Sequence, residues 1–278
     1  MRSLLLTIAV LSVAGCPRKS DDRPRLKLLE PVEVADRSRP DERLVGVTGE
    51  AVGDWVLSKL RGSRAVQVVK SGADTREAYH LSIEFGVGHR REDGAKKVIL
   101  VSARGEVPGD LDRVILQASL VRTEVRVDPL VLRKAVETVV ADILFQAELA
   151  RTDATSLVRA LQHERDAQRL AAAVDIAAVR RIRAAVPTLI KLLRHKNEII
   201  ADRAIGALVA IGDRRAVSAL TRLTRFRNTE KMAKIIDGIG TLGGREAREY
   251  LELVASGHED ADIRNMAAEA LARLRSHK

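Results

Sequence analysis

The stretch ADRAIGALVAIGDRRAVSAL, residues 201–220, decides the fold of the second half of this chain. Ala204 and Ala207 place small side chains on one face of a predicted helix, so that a neighbouring helix can approach that face closely. Gly212 is suited to the left-handed conformation that ends a helix, and Asp213 is suited to cap the next helix. The stretch therefore predicts two short helices joined by a tight turn.

The same kinds of residue recur along the chain at a fixed spacing. One helix pair of this size cannot bury a core alone, so a repeated pair must stack on its neighbours. The period of 31 residues predicts an all-α solenoid of three to four repeats over residues 152–278. The matching sets are Leu189, Leu220 and Leu251; Leu192, Leu223 and Val254; Ala207 and Gly238; Gly212 and Gly243; and, in a longer last copy, Ala204 with Ala267 and Ala207 with Ala270.

Three segments carry a family resemblance. AVPTLIKLL at 185–193, the stretch at 201–220 and IRNMAAEALARL at 263–274 resemble HEAT repeats of the short, phycobilisome-lyase-like type. The resemblance implies an armadillo-like helical fold that serves as a protein–protein interaction scaffold. It also implies that the second helix of each pair lines the inner surface of the solenoid, at Ala201, Asp202, Arg203, Arg264 and Asn265.

Residues 44–151 predict a small α+β domain made of a helix, an antiparallel sheet and a second helix. Thr48 is placed to cap the first helix, and Asp128-Pro129 is placed to open the last one. The continuous apolar run Val98–Val101 predicts a strand that is more buried than its neighbours. Along 114–127 most apolar residues occupy even-numbered positions as far as Leu120 and odd-numbered positions from Val121. This change in apolar parity predicts a bulge or a turn between the two residues. The remaining predicted strands are Ala65–Lys70 and Tyr79–Val87.

The N-terminus predicts a route out of the cytoplasm. A basic start, an apolar run and small residues before Cys16 form a signal peptide over residues 1–15. The segment resembles the lipobox of bacterial lipoproteins, which implies cleavage between Gly15 and Cys16 and acyl chains, palmitate among them, on Cys16. Residues 16–43, rich in proline and mixed charge, predict a flexible tether, although 26–34 also has the pattern of a short edge strand. The implied location is the cell envelope, anchored to a bacterial membrane and facing the periplasm or the exterior.

Basic charge is concentrated in the predicted solenoid. Residues 180–234 carry 14 lysines and arginines against 4 acidic side chains. One interpretation is a solvated face; the other is a surface that binds an anionic partner, either an acidic protein or an anionic lipid or envelope polymer. Nucleic acid is not favoured, because the whole chain has 3 Phe, 2 Tyr and 1 Trp for base stacking. The candidate binding residues are Arg180, Arg181, Arg183, Arg203, Arg214, Arg215, Arg222 and Arg225.

The sequence contains no motif that indicates catalysis. The Gly-x-Gly-x-x-Gly string at 238–243 falls on the repeat period, which predicts the end of a helix rather than a dinucleotide site. The 6 histidines have no metal-binding spacing, and Cys16 is the single cysteine. We expect a membrane-anchored, non-catalytic scaffold that binds a protein, without a cofactor, a metal or a small-molecule substrate. The alternative is an enzyme or chaperone of the phycobilin-lyase-like HEAT class.

Overall fold

The computed structural model describes residues 24–70, 72, 75, 77–89, 96–109, 113–223 and 229–276. The predicted signal peptide, with Gly15 and Cys16, lies outside the described residues, and so does Arg225. Among the described residues, the first half of the chain contains six strands and two α-helices, and the second half contains helices and no strand. In chain order the first half consists of β1 (Leu26–Glu30), β2 (Glu33–Asp36), α1 (Gly49–Arg61), β3 (Val66–Lys70), β4 (His80–His89), β5 (Lys97–Glu106), β6 (Leu116–Glu124) and α2 (Pro129–Arg151).

Two strands lie in the segment that was expected to be a tether. β1 pairs in parallel with β3, and β2 pairs in parallel with β4. Leu28 and Val32 are buried with the core of the domain, which supplies the apolar burial that orders this segment. The tether prediction is therefore wrong for 26–36. The alternative of a strand is confirmed, and β2 lies at a sheet edge as expected, whereas β1 bonds β3 on one side and Tyr79 on the other. The sheet is also mixed rather than antiparallel throughout.

The larger sheet has the strand order β2-β4-β5-β6, and β4, β5 and β6 are antiparallel to their neighbours along the chain. The β5–β6 register runs without interruption from Lys97↔Glu124 to Gly105↔Leu116, so the predicted bulge is wrong. The prediction that 98–101 is more buried than its neighbours holds for Ile99 and Val101 but not for Leu100. Leu100 and Val121 lie opposite each other on an open face and are 45% and 66% exposed, which accounts for the irregular apolar parity.

Helices α1 and α2 contact each other and cover one face of the sheet. Both begin as predicted: the Thr48 hydroxyl accepts a hydrogen bond from the backbone N–H of Ala51, and the Asp128 carboxylate accepts one from Val131. Helix α2 has 23 residues, more than it needs to cross the sheet, and its second half also packs against the helical half of the chain.

The helices described in the second half form four pairs. The helices are α3 (Ala154–His163), α4 (Ala167–Val179), α5 (Val186–Leu192), α6 (Glu198–Ile211), α7 (Ala216–Thr221), α8 (Thr229–Leu242), α9 (Arg245–Gly257) and α10 (Ala261–Ser276). Gly212 ends α6 with a φ of 73°, as predicted. Asp213 differs from its predicted role, because its carboxylate accepts a hydrogen bond from the Arg215 N–H in the turn before α7 rather than from the first turn of that helix.

The second helices of the pairs form one row, because α4 contacts α6, α6 contacts α8 and α8 contacts α10. Helix α2 stands at the start of this row, in contact with α4. The Arg169 guanidinium of α4 donates to Asp142 of α2 at 2.7 Å and lies 5.1 Å from the centre of the Phe145 ring. This contact joins the sheet to the helix pairs. None of the described helices combines the length and the apolarity that a membrane span requires.

Candidate binding groove

A groove of about 530 Å³ lies between the sheet and the first two helix pairs. One wall is β6 with the residues just before it, and the other is formed by α4 and the start of α6. The volume is within the usual range for ligand sites. We call this feature the sheet–helix groove; it is lined by Arg113, Val114, Ile115, Gln117, Ala118, Ser119, Gln146, Ala167, Gln168, Ala171, Ala172, Asp175, Ile176, Val179, Asn197, Ile199, Ile200 and Arg203.

The β6 wall of the groove is a sheet edge. Because β6 is the last strand of its sheet, the backbone N–H and C=O of alternate residues point away from β5. Gln117 is one of these residues, and the buried Gln146 side chain satisfies both of its groups: the Gln117 N–H donates to Oε1 at 2.8 Å, and Nε2 donates to the Gln117 C=O at 2.7 Å. By the same alternation, the backbone groups of Ser119 and Val121 face the edge beyond Gln146.

Three large apolar side chains are exposed at the groove. Ile115, Val179 and Ile199 are 48%, 44% and 64% exposed, and they come from the approach to β6, the end of α4 and the start of α6. Scattered exposed apolar residues are ordinary on protein surfaces, but convergence of several on one concave site is typical of a binding surface.

Polar groups are placed among these apolar side chains. Asp175 and Arg203 form an ion pair across α4 and α6. Burial raises the pKa of the Asp175 carboxyl, and the Arg203 guanidinium opposes that rise only in part. The Nε2 atom of Gln168 is buried and has no hydrogen-bond partner within the described part of the chain. An unpaired amide N–H₂ group at a groove wall is available to a carbonyl oxygen of a bound molecule.

The predicted basic residues do not form a single face. Arg203 lies in the sheet–helix groove near the start of α6, whereas Arg214 and Arg215 lie in the turn beyond the end of that helix. Several of these arginines have structural contacts. The Arg180 guanidinium donates to the Leu149 carbonyl at 3.1 Å, and Arg215 forms an ion pair with Asp213 at 2.6 Å.

The other candidate arginines that the structure describes are exposed, as Arg215 is. Arg181 and Arg183 lie in the turn between α4 and α5, and the Arg183 carbonyl accepts a hydrogen bond from Arg215 at 3.4 Å. Arg222 is exposed, and its guanidinium donates to the Ser218 hydroxyl at 3.3 Å. Arg214 lines a second cavity near the C-terminus. Binding by these residues stays a prediction.

Histidines at the turns within helix pairs have local roles. The Nδ1 atom of His195 accepts a hydrogen bond from the Asn197 N–H, and the Nδ1 atom of His258 accepts one from the Asp260 N–H, both at 3.1 Å. Each of these bonds stabilises the turn that enters a second helix. Among the described residues, no group of three or more histidines and carboxylates is placed to hold a metal ion.

Comparison with known proteins bears on the helical half. A family model for HEAT repeats matches residues 154–228, a range that begins with α3 and so includes the first helix pair. Similarity is also found to the crystal structure of an engineered protein, a Northeast Structural Genomics Consortium target, at 19% identity and a TM-score of 0.37. That similarity covers 51% of this chain, which spans 45% of the engineered protein's length. No curated protein matches the sequence.

Sequence patterns did not reveal the sheet–helix groove, since its walls are far apart in the chain. The sequence did carry two signals of the groove. Ile115, just before β6, and Ile199, at the start of α6, are large apolar residues that are exposed although each lies next to a buried apolar residue. The similarity to HEAT repeats gives a helical repeat scaffold of the kind that commonly binds protein partners.

Proposed function

We propose that this chain is a lipid-anchored lipoprotein of the bacterial cell envelope that acts as a non-catalytic scaffold. The helix pairs act as a HEAT-like solenoid, and the sheet–helix groove binds an extended, apolar segment of a protein partner. The observation that carries the proposal is the groove itself, in which the outer edge of β6, beyond the Gln117 groups that Gln146 occupies, faces a wall with exposed apolar side chains.

The chemistry of the groove favours an extended peptide over a helix. A peptide strand laid against β6 gains main-chain hydrogen bonds from the edge groups of Ser119 and Val121. Its alternate side chains then meet Ile115, Val179 and Ile199, and apolar side chains gain most from that contact. The Gln168 amide is available to a carbonyl oxygen of the peptide that the edge does not use.

Site-specific photo-crosslinking tests this binding mode. A photoreactive phenylalanine analogue placed at Ile199 should crosslink one partner in membranes of the native host. The same analogue at Leu253, which is 69% exposed on α9 far along the chain, is the matched control. Ser119→Pro removes an edge N–H inside the groove and should abolish the crosslink, whereas Thr123→Pro removes one outside the groove and should leave it.

The pattern of crosslinks decides the outcome. Support requires that the crosslinked fragment map to a non-helical apolar segment of one protein. Equal crosslinking from Leu253, or a crosslink that survives Ser119→Pro in a protein that is still folded, would contradict binding in the groove.

The anchor has a separate test. Because Cys16 is the single cysteine, Cys16→Ser should abolish incorporation of a palmitate analogue and leave the precursor unprocessed. Labelling that stays equally strong on the serine variant would remove the lipoprotein part of the proposal and leave the groove untouched.

A further inference from the structure

A second cavity, of about 690 Å³, lies where α8 ends and α9 begins. Four arginines from three places in the chain line it: Arg214 from the α6–α7 turn, Arg245 and Arg248 from α9, and Arg273 from α10. None of the described residues that line the cavity is acidic. A wall with four guanidinium groups and no carboxylate attracts anions.

Two of these arginines lack a carboxylate partner in the described part of the chain. Arg273 pairs with Asp237 at 2.7 Å, and the exposed Arg245 lies 3.5 Å from Glu249. Arg214 and Arg248 form no such pair, and the Nε atom of Arg248 is buried without a hydrogen-bond partner. An arginine with an orphaned buried N–H is poorly stabilised unless an acceptor binds there.

Two glycines and the start of α9 form the backbone of the cavity, and the start of α9 adds further donors. Gly243 and Gly244 have φ values of 64° and 95°, and a Cβ on Gly244 would lie 3.3 Å from the Cδ atom of Arg214. The side chain of Arg214 therefore lies across a glycine backbone that only a residue without a Cβ accommodates. Helix α9 begins at Arg245 without a side-chain cap, so the N–H groups of its first turn are open to an acceptor.

We propose that this arginine cavity binds a phosphate group. Phosphate matches the planar, bidentate donors of arginine and the N–H groups of a helix start better than a single-point anion does. Phosphate can arrive either free in solution or as the headgroup of a lipid. The site lies in the last two helix pairs, apart from the sheet–helix groove, and does not depend on the proposed scaffold function.

Isothermal titration calorimetry of the full chain in detergent micelles tests the site with two probes. One probe is inorganic phosphate, and the other is water-soluble dihexanoyl phosphatidic acid. Arg248→Gln and Arg214→Gln should each weaken binding by about tenfold or more, the effect of losing a hydrogen bond to a charged group. Arg222→Gln removes the same charge from an exposed arginine outside the cavity and should weaken binding less than about twofold.

The two probes separate the sources of phosphate. Equal affinity for both probes indicates that the cavity recognises free phosphate, and stronger binding of the lipid indicates a headgroup; both results support the proposal. Absence of binding by both probes, or equal losses in Arg222→Gln and Arg248→Gln, would overturn it. Arg214 is exposed, so a normal thermal melt of Arg214→Gln shows that its lost binding is not lost folding.

Discussion

At the scale of single residues, glycines inside helices show how a neighbouring helix restricts the size of the side chain at a position. A Cβ on Gly238 would lie 2.7 Å from the Cγ2 atom of Val209, and a Cβ on Gly240 would lie 3.0 Å from the Cβ atom of Ala270. These glycines let α8 approach α6 and α10 closely, which explains the Gly-x-Gly-x-x-Gly string without a nucleotide. The prediction that the string ends a second helix is confirmed by α8 and Gly243. The close approaches were not visible in the sequence.

Alanine at two helical glycines should therefore have opposite effects. Gly240→Ala should lower the free energy of unfolding by about 1–3 kcal/mol, because the added methyl group overpacks against Ala270. Gly206→Ala in α6 meets nothing within 4 Å and should raise it by about 0.5–1 kcal/mol through helix propensity. Urea unfolding of both variants measures the difference, and a stabilised Gly240→Ala would show that the helices are farther apart than described.

Asp213 gives the stability of the chain an acid dependence. Its hydrogen bonds with the Arg215 guanidinium hold the pKa of this carboxyl at about 2, below the ordinary value of 3.8. A carboxyl with a lowered pKa in the folded state stabilises it above the unfolded pKa, and the contribution is lost as the pH falls through the folded one. Between pH 4 and pH 2 the wild type should thus lose more thermal stability than Asp213→Asn. Parallel loss in the two proteins would contradict the assignment.

At the scale of elements, β6 shows what the alternation of apolar and polar residues predicts correctly and what it does not. The strand was predicted from its apolar residues, and its pairing with β5 follows from chain order. The change in apolar parity predicts a bulge only if the exposed positions of a strand are polar. Val121 and Leu100 are apolar although they lie on an open face, so the strand continues without a bulge. The groove beside β6 also depends on where α4 docks, which no local pattern encodes.

Replacing Gln146 should lower the free energy of unfolding more than replacing an ordinary polar residue on a helix. Gln146→Met keeps the length of the side chain but leaves the Gln117 N–H and C=O without their partner, at a cost of about 1–3 kcal/mol. Gln162→Met is the matched control, since this exposed side chain donates only a long hydrogen bond of 3.4 Å to Thr188. Equal urea midpoints for the two variants would mean that water replaces Gln146 at the edge.

At the scale of the whole molecule, the helix pairs depend on their neighbours. Truncation after Thr241 removes α9 and α10, both of which contact α8, and with them Ala270, which packs against Gly240. We expect the remaining chain to melt at a lower temperature in one broadened transition, because each pair is stabilised mainly across its interfaces. Differential scanning calorimetry measures this, and a truncated protein that melts like the full chain would show that the last pair folds independently.

Helix α2 belongs to both halves of the chain. It is the last element of the sheet domain and also the first member of the helix row, held to α4 by Arg169 and Asp142. A further helix inserted between α2 and α4 in this row would part Arg169 from Asp142 and Phe145, and so part α4 from a helix whose position the sheet dictates. The sheet domain and the helix pairs therefore cannot be exchanged independently of this junction.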